Sequence, residues 1–295
     1  MEDVIEVSNL IHSYGKKKVL DKLSFSVKKG RIFGLLGKNG AGKTTTINIM
    51  MGFLQPQGGT CRIFGEPSYD ISPETRKRIG LLHETHLQYY FMNIKQAQKF
   101  YSAFYPKWDF SIFKSLMDKL GLDEKHKISK MSCGQRSQVT LALILAQRPD
   151  LMILDDYSLG LDAGYRRLFL EYLVDYAKEN QTTILITSHI VQDLEKFVDD
   201  IVILDKGKTM ISSTLEDFSR SFSRYIVKNG ANFCQVEKDE IIRGVESYRD
   251  DLFIYSFKDK ESVKSRMIDL GFVKNEIIPD KMTLEDAFIG LTGKY

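Results

Sequence analysis

Two kinds of apolar pattern run along the chain, and the change from one to the other divides it. Near the start, Val4-Ile5-Glu6-Val7 and Val19 through Val27 alternate apolar with polar positions, predicting two strands with Gly15-Lys16-Lys17-Lys18 as the turn between them. Ile32, Phe33, Leu35 and Leu36 then crowd into six residues, which predicts a buried strand over 31–36. A helix follows from Thr44 to Met51, Gly52 and Gln55-Pro56-Gln57-Gly58-Gly59 end it, and Thr60 to Phe64 returns as a strand. Thereafter the period becomes helical. Ile94, Ala97, Phe100, Tyr101 and Phe104 form one stripe and Phe110, Phe113, Leu116, Met117 and Leu120 another, with Pro106 breaking the first helix and Asp109 capping the second. Both stripes read as core.

Strands then come back. A helix running through Leu145 leads to the apolar run Leu151-Met152-Ile153-Leu154, and Thr183 to Thr187 and Ile201 to Asp205 add two more strands, the last closing with the turn Lys206-Gly207. Between them, Tyr165, Leu168, Phe169, Tyr172, Leu173, Tyr176 and Ala177 predict a helix with one face on the sheet. Past about residue 214 the pattern is mixed: strands at Arg224 to Lys228 and Leu252 to Phe257, an amphipathic helix from Lys260 to Leu270, and a last helix begun by the capping-box pattern Thr283-Leu284-Glu285-Asp286. A small α+β accessory domain over 214–295 fits this tail.

Composition narrows the reading. A chain of 295 residues with 43% hydrophobic positions can fill one large domain and a small one. Lys+Arg 42 against Asp+Glu 39 leaves +3 without long single-sign blocks, so no nucleic-acid partner is called for. No apolar run approaches the roughly 18 residues of a spanning helix, and Met1-Glu2-Asp3-Val4 lacks signal-peptide character. The expectation is a cytoplasmic chain with no direct membrane insertion, reaching the membrane through a protein partner. Cys61, Cys133 and Cys234 have no metal-type spacing and argue against a disulfide framework.

The chemistry concentrates where strand 31–36 meets its helix. Gly37-Lys38-Asn39-Gly40-Ala41-Gly42-Lys43-Thr44 fits G-x-x-x-x-G-K-[ST] at every fixed position. The backbone N–H groups of such a loop turn inward round an anion, and the helix beyond points its positive end at the same phosphates. Lys43 is placed to neutralise the β/γ-phosphates of ATP and Thr44 to offer its hydroxyl to Mg²⁺. Asp155 and Asp156 end the run 151–154, at the strand edge where open α/β sheets bind ligands, so Asp155 reads as the Mg²⁺ partner. Tyr14 is either ordinary surface packing or a ring that stacks on adenine. His189, after strand 183–187, is either structural or within reach of a γ-phosphate.

Over about residues 3 to 215 these features resemble the nucleotide-binding subunit of an ABC transporter, with the family's motifs in the family's order. The resemblance implies an α/β P-loop NTPase fold with a β-rich N-terminal part, a RecA-like core and a helical subdomain at about 88–148, together spanning 1–213. It makes Tyr14 the adenine-stacking aromatic and residues 37 to 44 the Walker A loop, with Gly37, Asn39, Gly40, Ala41, Gly42, Lys43, Thr44 and Thr45 on the nucleotide. Met131 to Gln135 match the signature, 151 to 156 Walker B, Leu161-Asp162 the D-loop and His189 the switch histidine. The stretch Phe104-Tyr105-Pro106-Lys107-Trp108-Asp109 and the ending Leu284-Glu285-Asp286-Ala287-Phe288 are similar to bacterial ATPases that pair with separately encoded permeases in exporters of peptides, antibiotics or toxins.

The departures from the family pattern bear on turnover. Glu84 occupies the place of the Q-loop glutamine, Cys133 that of the signature's first glycine and Leu159 that of a D-loop serine. Asp156 stands for the glutamate that polarises the attacking water, setting the carboxylate back by about 1.5 Å. Asp156, His189 and Glu84 are therefore the catalytic candidates, with Thr44, Asp155 and Glu84 around the metal. The resemblance further implies that two such subunits meet head to tail, as a homodimer or heterodimer, each covering the other's ATP with Ser132, Gly134 and Gln135, and that a permease sits against the helical insertion. Tyr89, Tyr90 and Phe91 either receive a permease helix or belong in part to the core. An importer ATPase, and a hydrolysis-impaired ATP-binding regulatory partner in a heterodimer, are the alternative readings.

Overall fold

The computed structural model describes residues 2–83, 89–158, 161–188, 190–228, 236–272 and 276–293. Glu84, Leu159, His189 and Cys234 lie outside the described residues. The chain falls into two compact units, one of residues 1–193 with 197–212 and the other of residues 194–196 with 213–295.

In the first unit, β1 (Asp3–Tyr14), β2 (Lys17–Lys28), β4 (Gly58–Ile63) and β5 (Glu66–Pro67) make an antiparallel sheet in the order β2-β1-β4-β5; β3 (Ile32–Gly37) and α1 (Lys43–Met50) intervene in the chain. The turn before β2 is shorter than expected, because Lys17 and Lys18 already pair with Tyr14 and Ser13. After the short α2 (Pro73–Arg76) come β6 (Ile79–Leu82), α3 (Ile94–Ser102), α4 (Phe110–Leu120), α5 (Cys133–Ala146), β7 (Leu151–Leu154), α6 (Ala163–Asn180), β8 (Thr183–Thr187), the short α7 (Val191–Leu194), β9 (Asp200–Asp205) and β10 (Lys208–Thr214). A second sheet takes the order β10-β9-β3-β8-β7-β6, with β9, β3, β8, β7 and β6 paired in parallel. Every residue of β3, β7 and β8 is buried, so their apolar runs are those of strands covered on both faces. Their carboxyl ends, at Gly37, Leu154 and Thr187, share one edge.

The helices of 94–146 carry a separate core, in which Ile94, Ala97, Phe113, Met117, Val139 and Leu143 meet. Asp109 caps α4 by accepting from the Ser111 and Ile112 amides, as its position after Pro106 suggested. The first helix, however, stops at Ser102, and Phe104 and Phe110 are 56% and 51% exposed rather than core. Tyr165 and Leu168 of α6 are also exposed; only the later turns, with Leu170, Leu173, Tyr176 and Ala177, are covered.

The second unit contains α8 (Leu215–Ser221), β11 (Ser223–Val227), β12 (Gly244–Tyr248), β13 (Asp251–Ser256), α9 (Lys260–Asp269), β14 (Ile277–Asp280) and α10 (Leu284–Thr292). Its antiparallel sheet runs β12-β13-β11-β14 over a core of Tyr225, Val227, Ile254, Val263, Met267 and Phe272. Thr283 and Asp286 form the expected capping box at α10. Neither α8, β12 nor β14 stood out in the sequence, where each is short and only partly apolar.

Candidate nucleotide site at the edge of the parallel sheet

Residues 37–44 form the connection from β3 to α1. Gly40 and Gly42 take φ of 81° and 107°, a region closed in practice to side chains with a Cβ. At Gly42 a Cβ would also stand 2.6 Å from Leu20 Cδ2, so the turn requires glycine twice over. Gly42 is the N-cap of α1 and gives no side-chain cap, leaving the first-turn amides of the helix to whatever sits in the loop. Lys43 Nζ donates to the carbonyls of Gly37 at 2.6 Å and Lys38 at 3.2 Å, which holds the ammonium across the loop mouth. Thr44 is half-buried and Thr45 buried, while Asn39 and Gly40 are exposed.

Two strands away, Asp155 follows β7 at the same edge. Only β8 lies between β3 and β7, so loop and carboxylate stand on strands roughly 10 Å apart at about 4.8 Å per step. Asp155 is 1% exposed; its amide donates to the Leu82 carbonyl, and its Oδ1 accepts from Thr187 Oγ1 at 2.8 Å. Its other oxygen, Oδ2, is buried with no hydrogen-bond partner among the described residues. A buried carboxylate oxygen left in this condition is costly unless a cation takes it. Oxygen-seeking Mg²⁺ fits such a donor, and Asp155 with the Thr44 hydroxyl would hold it.

Asp156 sits in the left-handed region at φ 48°, which aspartate tolerates better than most residues. Its amide donates to Thr187 Oγ1 at 2.8 Å and its Oδ1 accepts from Ser158 Oγ at 3.1 Å. Tyr157, next in line, is wholly buried and stacks on Phe169 with ring centroids 5.3 Å apart. Burial, and then the Asp193 carboxylate 3.5 Å away, push the Tyr157 phenol upward, so it stays protonated. Arg166 pairs with the same Asp193 at 2.7 Å and donates to the Leu161 carbonyl, tying the D-loop end to the start of α7. Thr187, Tyr157 and Arg166 were missed in the sequence. A threonine inside a strand buried on both faces was the available signal, since its hydroxyl must find a partner there.

The signature residues are held elsewhere. Ser132 caps α5 by accepting from the Gln135 amide at 3.1 Å, and the Ser132 amide donates in turn to Gln135 Oε1 at 2.9 Å. Each side chain therefore satisfies the other residue's backbone amide, and the first amides of α5 left over are those of Cys133 and Gly134. Tyr14 ends β1 at 52% exposure, with its ring edge-on to His12 at 4.9 Å. Tyr89, Tyr90 and Phe91 are 45%, 49% and 74% exposed, which overturns the reading of part of this cluster as core. Glu84 and His189 fall outside the described residues, so the site is built here without them.

Comparison with known proteins agrees with this geometry. The family model described as ABC transporter matches residues 20–158. The bacitracin transport ATP-binding protein BcrA of Bacillus licheniformis is 29% identical over 99% of this chain and 98% of its own length. An uncharacterized ABC transporter ATP-binding protein of Methanocaldococcus jannaschii is 33% identical over 76% of this chain and 82% of its own. Among solved structures, an ATP-binding subunit of an ABC transporter is 26% identical at a TM-score of 0.65, covering 74% of this chain and 92% of that one. A phosphate loop, an acid-ended strand two places from it at the same sheet edge and these likenesses lead to one identification: the chain belongs to the ATP-binding subunits of ABC transporters, ATPases that bind ATP with Mg²⁺.

Proposed function

We propose that this chain is the ATP-binding and hydrolysing subunit of an exporter, driving a peptide, antibiotic or toxin-like substrate through a separate permease at the inner face of the cell membrane. The observation that carries the reading is the end-to-end likeness to a bacitracin transport subunit, which takes in the second unit as well as the ATPase. Residues 1–213 are the ATPase domain in this reading and 214–295 an accessory domain. A run of aromatics supports a protein partner: exposed Tyr89, Phe91 and Phe104 and half-buried Phe100 link ring to ring at 5.1 to 5.8 Å in an apolar patch of the kind that marks an interface. No helix among the described residues is long and apolar enough to cross a membrane, so the permease supplies the spans.

In the working site the loop 37–42, Lys43 and Thr45 bind the phosphates, Tyr14 stacks on adenine, and Thr44, Asp155 and Glu84 are assigned to Mg²⁺. The bound cation neutralises charge on the phosphates. Asp156 accepts the proton of the attacking water; the Ser158 hydroxyl on its Oδ1 and the left-handed turn fix the direction in which the carboxylate is presented. His189 reads the γ-phosphate. A second subunit, identical or not, closes the site with its own Ser132, Gly134 and Gln135, whose helix start adds a positive dipole end to the γ-phosphate. One observation favours a second reading: Asp156 is a methylene shorter than the family's glutamate, which suits a slow ATP-binding partner in a heterodimer. Purification with the permease and ATPase assay in vesicles, with and without candidate peptides, tests both. Export with peptide-stimulated turnover is expected. Uptake instead of export overturns the direction, and ATP bound without turnover at this chain's own site selects the regulatory reading.

A further inference from the structure

Between the two acids of the Walker B strand and the strand beside it runs a short relay that no motif describes. Thr187 closes β8 and is 0% exposed. The Asp156 amide reaches its Oγ1 at 2.8 Å, and the same Oγ1 reaches Asp155 Oδ1 at 2.8 Å. An amide can only donate, so the hydroxyl accepts there and has one proton left to give. That proton is directed at Asp155 Oδ1. The direction of both bonds follows from the chemistry of the groups and leaves the hydroxyl no alternative.

We propose that Thr187 is a positioning residue for the metal and for the attacking water at once. Its hydroxyl occupies Oδ1 of Asp155, which holds the carboxylate in one orientation, and Oδ2, buried and without a hydrogen bond among the described residues, is the oxygen offered to Mg²⁺. By holding the Asp156 amide, the same hydroxyl fixes the left-handed turn from which the Asp156 side chain departs. A single oxygen thereby sets the relative placement of the metal ligand and the candidate base. Valine, nearly isosteric with threonine, would keep the packing of β8 and remove the relay. It would leave the Asp156 amide unsatisfied and let Asp155 rotate between two equivalent oxygens. Serine would keep the relay and lose only a methyl group. This inference rests on Asp155 being the Mg²⁺ ligand, so the test must separate failure of that reading from failure of the relay.

The experiment is an Mg²⁺ titration of the binding of a fluorescent ATP analogue to the full chain, comparing wild type, Thr187→Val, Thr187→Ser and Asp155→Asn. It is joined by hydrogen exchange at the Asp156 amide in the protein free of metal and nucleotide. Partners that hold a metal-binding group are commonly worth 10- to 100-fold in metal affinity, so Thr187→Val is expected to need about 10- to 100-fold more Mg²⁺. Thr187→Ser should titrate as wild type, and Asp155→Asn should lose the Mg²⁺ response. The Asp156 amide should exchange faster in Thr187→Val and stay protected in Thr187→Ser, a readout that a role in packing alone would not divide in this way. If Thr187→Val does not fold, Thr187→Cys, with its weaker S–H, should show the same loss in smaller measure. An unchanged Mg²⁺ titration in Thr187→Val beside a lost response in Asp155→Asn overturns the relay. An unchanged response in Asp155→Asn overturns the metal assignment on which it stands.

Discussion

At the carboxyl edge of the parallel sheet the functional groups hang on strands buried on both faces, whereas the start of α5 is half-buried behind an exposed Ser132 and rests on the separate core of the helical region. Both places offer donors to a phosphate. At the sheet edge polar groups are left in need: α1 has no side-chain cap, and Asp155 Oδ2 is buried without a hydrogen bond among the described residues. At α5 two amides are already taken, since Ser132 and Gln135 accept from each other's backbone N–H, and the amides of Cys133 and Gly134 remain for a ligand. A site that is incomplete within the fold will bind a ligand for its own sake. One whose cap is partly built in has fewer donors left, and these can add to a ligand held by another chain. The contrast fits the proposed arrangement, in which one subunit binds ATP and a second encloses it.

The largest effect expected from disturbing this contrast is at Asp156. Asparagine accepts the left-handed backbone as aspartate does, so Asp156→Asn should leave the fold and ATP affinity intact while removing the base, at a cost of about 100- to 10,000-fold in turnover. Steady-state phosphate release in the presence of the permease measures it, and an unchanged rate would remove Asp156 from the chemistry. In the other direction, Asp156→Glu should speed hydrolysis by up to about 100-fold, since a displacement on the order of 1 Å at a reacting centre has that consequence. Glutamate is less at home at φ 48°, and the same variant should lose about 1 kcal/mol of stability in denaturant unfolding.

A smaller loss is expected at the loop. Lys43→Ala deletes charge-assisted bonds worth about 1.5 to 3 kcal/mol each, or roughly 10- to 150-fold in ATP affinity. Equilibrium titration with nucleotide decides it, and wild-type affinity would mean that the phosphates lie elsewhere. Smallest of all is the cap on α5. Ser132→Ala should destabilise the chain by about 1 kcal/mol and Ser132→Gly by only a few tenths, neither changing the ATP affinity of the single subunit. Equal stability of the alanine variant and wild type would show that the capping box does not hold this helix start.

How far the sequence could be read follows the same division. The strands β3, β7 and β8 were legible because burial on both faces writes an unbroken apolar run, and the loop because its glycines answer to backbone conformation rather than to neighbours. Asp155 was legible as the acid at a strand end. That its two oxygens play different parts was not, because the difference is made by Thr187, which lies 32 residues away and meets it only through strand pairing. The helical stripes misled at Phe104, Phe110, Tyr165 and Leu168. An aromatic at helical spacing looks the same whether it enters a core or a surface that another chain covers. In the second unit, β12 and β14 are short strands whose pairing partners decide their conformation, and their residues alone carry too little pattern to announce it.

The claim that the loop binds and the α5 start of another copy encloses is tested most directly by sedimentation velocity of the isolated chain in the Asp156→Asn background, followed at the absorbance of a labelled ATP with Mg²⁺ present. The expected result is nucleotide moving with a dimer. Adding Ser132→Arg should leave nucleotide moving with the monomer, and adding Lys43→Ala should leave most of it unbound. A dimer that forms equally without nucleotide, or that keeps its bound ATP with Ser132→Arg in place, would contradict the account.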